Sequence, residues 1–181
     1  MDIKLSPLTN DDLELIRNWR SSKEVADYMY TDGQISEEQQ KNWYSKISKD
    51  ETSKYWIIEY DNKKLGLAWL TDINKTLNSC FWAFYLGDTS VRGAGIGGKV
   101  EYQVLKYVFD ELNLNKLRCE VFIFNESVIK MHEKFGFRRE AFYREHCYKN
   151  GKFHDVVGLA ILKSEWSFIK ESIYEKVYKH S

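Results

Sequence analysis

The 181-residue sequence contains a single proline, Pro7, no excess of charge of one sign and no long apolar run. Basic and acidic residues number 27 each, so the chain as a whole has no field that would attract nucleic acid or an acidic membrane. The most apolar run, residues 156–162, is far shorter than the roughly 18 residues that would cross a bilayer. We therefore expect neither a nucleic acid nor a membrane as a partner.

Cysteine is also scarce, and its three positions exclude two common uses. Cys80, Cys119 and Cys147 are too widely spaced for a framework of paired disulfides or for a zinc motif, and the four histidines have no metal-like spacing either. Such cysteines are typical of reduced cytosolic thiols. The first residues of the chain lack the basic segment and apolar core of a signal peptide. We expect a soluble, cytoplasmic protein without a metal ion.

What the sequence does contain is enough apolar material for a packed core. Hydrophobic residues make up 43% of the chain and aromatic residues 15%, which argues against disorder. No internal repeat, low-complexity tract or linker rich in glycine, serine or proline interrupts it. The length and this uniformity predict one domain over residues 1–181.

Periodicity and turn signals predict the element order βααβββαβαββα, an α+β domain with a mixed sheet. Ser36, with Gln39 three residues on, forms a capping box that predicts a helix start, and Asn150-Gly151 predicts a tight hairpin turn. From Gly97 onward, apolar residues recur at helical spacing along one stripe. Strands are expected at 3–8, 54–60, 64–72, 79–86, 116–124, 137–148 and 153–162, and helices at about 9–19, 36–47, 97–112, 125–134 and 166–177.

A glycine-rich segment, residues 91–99, separates the strand at 79–86 from the long helix. Glycines let backbone N–H groups converge at a helix start, which forms a cradle for a phosphate or pyrophosphate. The alternatives are a turn without a ligand and a dinucleotide-binding fold, since Gly93, Gly95 and Gly98 satisfy GxGxxG. Against the dinucleotide fold, polar residues separate the strand from the loop, and too few strands remain downstream for further βαβ units.

Two motifs together indicate a family. The phrase Arg92-x-x-Gly95-x-Gly97 resembles the pyrophosphate loop of the GCN5-related N-acetyltransferases, which opens a long helix. The segment Asn125–Phe137 resembles the second signature of that family, Asn-x-x-Ala-Ile-x-x-Tyr-Glu-Lys-x-Gly-Phe, with valine in place of the alanine and histidine in place of the tyrosine. The resemblance implies the GNAT fold, a mixed and mostly antiparallel sheet that is splayed in the middle and flanked by helices. It also implies acetyl-CoA-dependent N-acetyltransferase activity.

The resemblance further implies how acetyl-CoA, the cosubstrate, is held. Backbone groups of Phe84, Tyr85 and Leu86 would pair with the pantetheine amides as though these formed another strand. Asn125 and Lys134 would border the pantetheine and the adenosine phosphate. The residues implied for the pyrophosphate are Arg92, Gly93, Ala94, Gly95, Ile96, Gly97 and Gly98.

Two catalytic residues follow from the resemblance and from the needs of the reaction. An amine attacks a thioester only when it is uncharged, so a base or a water relay must remove a proton, and the leaving thiolate needs a proton donor. Glu120 occupies the position of the base in related amine acetyltransferases, although an ion pair with Arg118 or Arg138 would also explain a carboxylate in a buried strand. His132 stands where the family's tyrosine protonates the coenzyme A thiolate, and its alternative is an ordinary core histidine. The Leu86 amide would meet the thioester oxygen.

Further short sequence segments, spread over roughly residues 3–165, suggest the acceptor. They resemble a branch of the family that acetylates the 4-amino group of UDP-4-amino-4,6-dideoxy-N-acetyl-β-L-altrosamine in the pseudaminic acid pathway. Aromatic faces would suit the rings of such a nucleotide sugar, and a cation would suit its diphosphate. The substrate-binding residues expected on this basis are Arg20, Met29, Tyr30, Trp43 and Phe81.

Two other functions remain open from the sequence. Acetyltransferases that act on ribosomal-protein N-termini or on polyamines such as spermidine share the pattern Asn150-Gly151-x-x-x-Asp155. A non-catalytic acyl-CoA-binding module would bind the coenzyme without turnover. Aromatic residues within 142–153 would also permit two copies to pair as a homodimer.

Overall fold

A computed structural model describes residues 2–31, 34–91 and 93–179. The strands are β1 (Lys4–Pro7), β2 (Lys54–Tyr60), β3 (Lys63–Asn74), β4 (Ser79–Leu86), β5 (Lys116–Phe122), β6 (Arg138–Lys149) and β7 (Lys152–Leu162). The α-helices are α1 (Leu13–Ser21), α2 (Lys23–Ala26), α3 (Glu37–Ile47), α4 (Ile96–Lys106), α5 (Glu126–Lys134) and α6 (Lys163–Tyr178). Short 3₁₀ turns at Asn10–Asp12 and Thr89–Val91 precede α1 and α4, and α4 continues as a π-helical segment, Tyr107–Glu111.

The seven strands form one sheet in the order β1-β2-β3-β4-β5-β7-β6. Neighbouring strands are antiparallel except β4 and β5, which run parallel. These two pair only over Ser79–Phe81 and Lys116–Arg118 and then separate. The sheet is therefore splayed in its middle, which confirms the expected GNAT fold, and it lacks the parallel order that a dinucleotide-binding fold requires.

Local sequence signals fold as predicted. Ser36 Oγ accepts a hydrogen bond from the Gln39 amide at 3.1 Å, and Gln39 Oε1 accepts one from the Ser36 amide at 2.8 Å, so the capping box begins α3. Asn150 and Gly151 have φ angles of 51° and 78°, as a type I′ turn between β6 and β7 requires. Gly136, with a φ of 89°, follows the end of α5 in the left-handed conformation.

Several element bounds shift by one to three residues, and three differences from the sequence-based expectation have a clear local origin. β5 ends at Phe122, earlier than the predicted residue 124, because the Asn125 amide donates to the Phe122 carbonyl at 2.9 Å in a turn into α5. The periodicity does not reveal α2, since only Val25 is buried in that short helix. The last part of the predicted long helix, Tyr107–Glu111, is π-helical rather than α-helical.

Helices cover both faces of the sheet and so place the candidate site. On one face, α4, α5 and α6 bury an apolar cluster that includes Val104 and Trp166. On the other face, Ile16 and Trp19 of α1 and Val25 of α2 pack against β2 and β3. The opening between β4 and β5 is thus flanked by α4 and α5 on one side and by α2 on the other. None of the helices in the described ranges is long and apolar enough to cross a membrane.

The β6–β7 hairpin presents aromatic side chains to solvent. β6 is the edge strand of the sheet, and Phe142, Tyr148 and Phe153 are 56%, 64% and 57% exposed. An exposed edge strand with apolar side chains is a surface suited to pairing with another chain. The homodimer expected from the sequence stays a prediction.

Candidate active site

A cavity of about 1320 Å³ lies where β4 and β5 separate. Its lining combines the ends of two strands, the glycine-rich loop, one face of α5 and the segment that contains α2. This volume exceeds that of most small-ligand sites, so the cavity has room for a large cosubstrate and an acceptor together. The strand and loop residues on its wall are Phe81–Leu86, Gly93, Gly95, Gly97, Gly98 and Cys119–Phe122.

The glycine-rich loop adopts a conformation that depends on glycine. Gly93 and Gly95 have φ angles of 84° and 76°, and a Cβ on either residue would meet no atom within 4 Å. Gly95 is the N-cap of α4, so the first amides of that helix have no intrahelical acceptor and the positive end of the helix dipole lies at the cavity. This arrangement can bind an anion through backbone N–H groups.

The other residues expected around the pyrophosphate lie in different environments. The Ile96 side chain is 2% exposed and belongs to the core, so only its backbone can contribute to the loop. The Ala94 amide donates to the Val91 carbonyl at 3.2 Å, within a turn, and the Ala94 side chain is exposed. Arg92 lies outside the described residues.

Replacing Gly95 with alanine should weaken coenzyme A binding by about 3- to 10-fold, because a left-handed φ costs an L-residue about 1 kcal/mol and the loop would relax away from its anion-binding shape. Isothermal titration with coenzyme A measures this change. Gly151→Ala is the matched control, since Gly151 has nearly the same φ, 78°, and open space around its Cβ position in the distant β6–β7 turn. Equal coenzyme A affinity in both variants would contradict the role of the loop.

The end of β4 offers a free strand edge to the cavity. Beyond Phe81, β4 has no hydrogen-bonding partner on the β5 side within the described residues, and Phe84, Tyr85 and Leu86 all line the opening. The Phe84 ring stacks on Trp82 at 5.4 Å between centroids, whereas the buried Tyr85 ring packs edge-on against Trp69. The strand is therefore rigid where its backbone is available to an extended ligand.

The second motif places two further expected residues on the cavity wall. Asn125 is the N-cap of α5, and its Oδ1 accepts a hydrogen bond from the Ser127 hydroxyl at 3.3 Å. Lys134 is the last residue of α5 and is exposed at the cavity. Both lie beside the opening, and the roles assigned to them by the resemblance stay predictions.

Glu120 is half-buried on β5 and lines the cavity. Its Oε2 accepts a hydrogen bond from the Tyr30 hydroxyl at 2.6 Å. The ion pairs considered from the sequence are not observed, because Arg138 pairs with Glu165 at 2.9 Å and the Arg118 side chain is exposed. Burial and the hydrogen bond to Glu120 raise the pKa of Tyr30 far above its usual value, so this phenol stays protonated at neutral pH and donates a hydrogen bond to the carboxylate.

A buried lysine holds the segment that contains Tyr30. Lys149, 2% exposed at the end of β6, donates hydrogen bonds from Nζ to the carbonyl oxygens of Ala26 and Met29 at 2.8 and 2.9 Å. The Tyr30 ring packs edge-on against Phe122, with centroids 5.4 Å apart. The sequence gives no sign of this role for Lys149, because a lysine next to a hairpin turn is usually solvated.

His132 forms a buried pair with Glu101 of α4. His132 Nδ1 lies 2.6 Å from Glu101 Oε1, and the two side chains are 4% and 0% exposed. Burial favours neutral forms and raises the pKa of Glu101, whereas the attraction of its carboxylate outweighs burial at His132 and raises the pKa of His132 to about 10. At neutral pH His132 is therefore an imidazolium, with one proton on Nδ1 and one on Nε2, beside Glu101. Sequence analysis missed Glu101, although its place beside Val100 and four residues before Leu105 puts a carboxylate on the buried stripe.

Four of the five residues expected to bind the acceptor, Arg20, Met29, Tyr30 and Phe81, line the cavity. Trp43 does not, because α3 places it edge-on against Tyr55, with ring centroids 5.3 Å apart. The expectation for Trp43 is therefore not supported by its position. Lining residues that the sequence analysis did not anticipate at this end are Glu24, Tyr28, Thr31, Trp69 and Phe122.

The fold and this site define a class of enzyme, and the comparison with known families agrees. The family described as acetyltransferase (GNAT) domain matches residues 2–138, and the chain belongs to it. It is an acetyl-CoA-dependent N-acetyltransferase. This membership favours catalysis over the alternative of a non-catalytic acyl-CoA-binding module. In the described part of the chain, no three His, Cys, Asp or Glu side chains group so as to hold a metal ion.

Several known proteins are similar to this chain. The spermidine N(1)-acetyltransferase of Vibrio cholerae is 26% identical over 165 residues, which cover 91% of this chain and 95% of the relative. Acetyltransferase PseH of Campylobacter jejuni is 26% identical over 130 residues, which cover 72% of this chain and 79% of the relative. A solved structure of the Vibrio cholerae spermidine N-acetyltransferase in complex with CoA and spermine has a TM-score of 0.87 at 24% identity and covers 92% of this chain and 98% of its own. At that identity the structural match supports the fold alone.

Proposed function

We propose that the protein acetylates a primary amine by direct transfer from acetyl-CoA, with Glu120 as the general base and His132 as the acid. The observation that carries this assignment is the Glu120 carboxylate at the splay of the sheet, which is held by the Tyr30 hydroxyl at 2.6 Å. Because no arginine neutralises Glu120 among the described residues, the carboxylate keeps its capacity to accept a proton from an amine.

The proposed reaction has one C–N bond forming as one C–S bond breaks. Glu120 first takes a proton from the bound ammonium group, directly or through one water molecule, and passes it to solvent. The uncharged amine then attacks the thioester carbonyl carbon, and its surplus proton passes to Glu120 in turn. The Leu86 amide on the free edge of β4 stabilises the developing negative charge on the carbonyl oxygen. The electron pair of the C–S bond goes to sulfur, which takes a proton from His132. Solvent then removes the proton from Glu120 and returns one to His132.

The cosubstrate is proposed to lie along the opening. The pyrophosphate would bind the amides at Gly93–Gly98, where α4 begins, and the pantetheine would pair with the backbone of Phe84–Leu86. Asn125 and Lys134 lie on the α5 side of the same opening. The remaining part of the cavity, on the α2 side, is then available to the amine.

We favour a polyamine of the spermidine type as the acceptor. The α2 side of the cavity is lined by two carboxylates, Glu24 and Glu120, and by the aromatic rings of Tyr28, Tyr30 and Phe122. Carboxylates attract ammonium groups, and aromatic faces suit both ammonium groups and methylene chains. The relatives named for spermidine support this acceptor, since they match 91% of the chain, against 72% for Acetyltransferase PseH.

The nucleotide sugar expected from the sequence is retained as a second candidate because of Arg20. This half-buried arginine lines the same end of the cavity, and its Nη2 donates to the Thr31 hydroxyl at 2.5 Å. No carboxylate lies within ion-pair distance of Arg20 among the described residues, so its guanidinium could pair with a diphosphate. The comparisons do not confirm this branch of the family.

Release of coenzyme A from acetyl-CoA, measured with spermidine and with a UDP-4-amino-4,6-dideoxy-N-acetylhexosamine, tests the acceptor. We expect turnover with spermidine and about a 3- to 10-fold higher KM for spermidine in Glu24→Gln, because an attractive charge is lost at partial exposure. The control Arg20→Gln should not raise that KM, because a cation at the same end of the cavity repels ammonium groups. Turnover with the sugar alone, impaired in Arg20→Gln, would overturn the polyamine and establish the second candidate.

A further inference from the structure

We infer that Glu101 is a positioning residue for the transfer reaction: it orients the His132 imidazole and holds it protonated, so that Nε2 faces the leaving coenzyme A sulfur. This inference rests on the proposed function, in which His132 is the acid. It assigns to a buried side chain of α4 a part of the chemistry that sequence motifs place on α5 alone.

The geometry of the pair supports an orienting contact. Glu101 Oε1 lies 2.6 Å from His132 Nδ1, a short distance typical of a hydrogen bond between charged partners. The His132 ring is also confined by Trp82 and Phe137, with centroids 5.3 and 5.2 Å away. A ring held by the Glu101 carboxylate, the Cys119 thiol and two aromatic neighbours has little freedom to rotate.

This contact determines which nitrogen can act. Because Nδ1 is engaged with Glu101, Nε2 is the nitrogen available to a group in the cavity, whose wall includes both His132 and the Cys119 thiol that this imidazole also contacts. The same logic, a carboxylate that fixes the tautomer and stabilises an imidazolium, operates in hydrolase triads. During transfer, the C–S bond electrons pass to sulfur, the Nε2 proton follows, and the Nδ1 proton stays between His132 and Glu101.

A purely structural explanation of the pair is weak on energetic grounds. Glu101 is 0% exposed, and its second oxygen, Oε2, has no hydrogen-bond partner in the described residues. An apolar pair of similar volume is often at least as stable as a buried ion pair, because burial of two charges carries a large desolvation cost. A half-satisfied buried carboxylate next to a cavity histidine is therefore better explained by its effect on that histidine.

The surroundings of the pair leave few other charges to consider. Among the described residues, the titratable groups that face His132 are Glu101 on α4 and Cys119 on β5, and His132 is the one that faces Glu101. The Cys119 thiol is a hydrogen-bonding neighbour of the imidazole and also lines the cavity, so it competes with a bound sulfur for the same side chain. Cys119→Ala is accordingly included in the test.

The first measurement is the ultraviolet titration of the thiol of coenzyme A bound to the enzyme. An imidazolium beside the sulfur stabilises the thiolate, so bound coenzyme A should ionise at lower pH in the native enzyme than in Glu101→Gln, by about one pKa unit or tenfold in thiolate fraction. Glutamine keeps the shape and a hydrogen-bond acceptor for Nδ1, which preserves packing. Identical titrations in the two proteins would overturn the inference.

The second measurement is a double-mutant cycle on kcat. Glu101→Gln should lower kcat by about tenfold or more with an unchanged KM for acetyl-CoA, and should have no effect in the His132→Phe background, where no imidazole is left to orient. An equal loss in both backgrounds would show that Glu101 acts through the fold and would overturn the inference. A decrease in kcat in Cys119→Ala as large as that in His132→Phe would also overturn the inference, because His132 would then act on the cysteine thiol.

The two readouts separate this inference from the proposed function. The thiol titration requires no acceptor, so it reports on Glu101 and His132 even if spermidine and the nucleotide sugar both fail as substrates. Failure of both acceptors would count against the proposed acceptor site only. If the native enzyme and Glu101→Gln titrate identically while spermidine is turned over, only the positioning role of Glu101 is rejected.

Discussion

Glu120→Gln should lower kcat/KM for the amine acceptor by about 10²- to 10⁴-fold, the usual contribution of a positioned general base. Glutamine keeps the volume of Glu120 and can still accept a hydrogen bond from Tyr30 Oη, so the fold and the acetyl-CoA site should be preserved. The measurement is steady-state release of coenzyme A with saturating acetyl-CoA, at several amine concentrations.

The pH profile gives this prediction a second readout. Without a base, the reaction depends on the fraction of amine that is already neutral, so the activity of Glu120→Gln should rise about tenfold per pH unit below the pKa of the amine. Tyr30→Phe is the matched control. It removes only the hydrogen bond to Glu120 and should lower kcat/KM for the amine about tenfold, as expected for loss of a hydrogen bond to a charged group. Native activity in Glu120→Gln would refute its assignment as the base.

His132→Phe should lower kcat by about 10²-fold with little change in acetyl-CoA affinity, because the ring is replaced by one of similar shape that cannot protonate the thiolate. The same substitution should lower the free energy of unfolding by about 3–5 kcal/mol, since it leaves the Glu101 carboxyl buried without its partner. Chemical denaturation and coenzyme A titration separate the two effects.

The control for stability is the double variant Glu101→Leu, His132→Phe. Replacing both members of the pair with apolar residues should restore stability but not kcat, because the desolvation cost disappears together with the acid. A native kcat in either variant would show that His132 is an ordinary core residue.

The buried pair should also make stability depend on pH. The folded protein keeps a proton on His132 up to a pKa of about 10, whereas the unfolded chain releases it near 6.5. The unfolded state therefore binds fewer protons between these values, and the stabilising contribution is complete below 6.5 and lost as the pH rises towards 10. Unfolding of the native protein relative to the apolar double variant, measured across this range, should show the decline.

Local features of this molecule could be predicted from the sequence because they depend on neighbouring residues. The capping box at Ser36 and the turn at Asn150 each require a particular backbone conformation that those residues favour. The two coenzyme motifs belong to this class, since each combines a strand or loop with the start of a helix. The family could therefore be predicted from these two motifs.

The surroundings of the residues proposed for catalysis could not be predicted in the same way. The partner of Glu120 is Tyr30, from a loop far away in the sequence, and not either of the arginines considered from composition. Trp43 was expected at the acceptor because it is aromatic, but α3 packs it against Tyr55. Residue type indicates which side chains suit a ligand, whereas the packing of α1, α2 and α3 on the sheet determines which of them reach it.

The sequence by itself determined the fold class and the glycine loop, because these depend on short-range patterns and backbone preferences, and its resemblance to a family suggested the two residues proposed for catalysis. Tertiary structure alone decided the contacts around those two residues. Glu101 meets His132 only because α4 and α5 pack side by side on one face of the sheet, and Lys149 reaches the carbonyls beside Tyr30 only because β6 ends below α2. Charge pairing across such distances in sequence depends on three-dimensional proximity and burial, which no local pattern encodes.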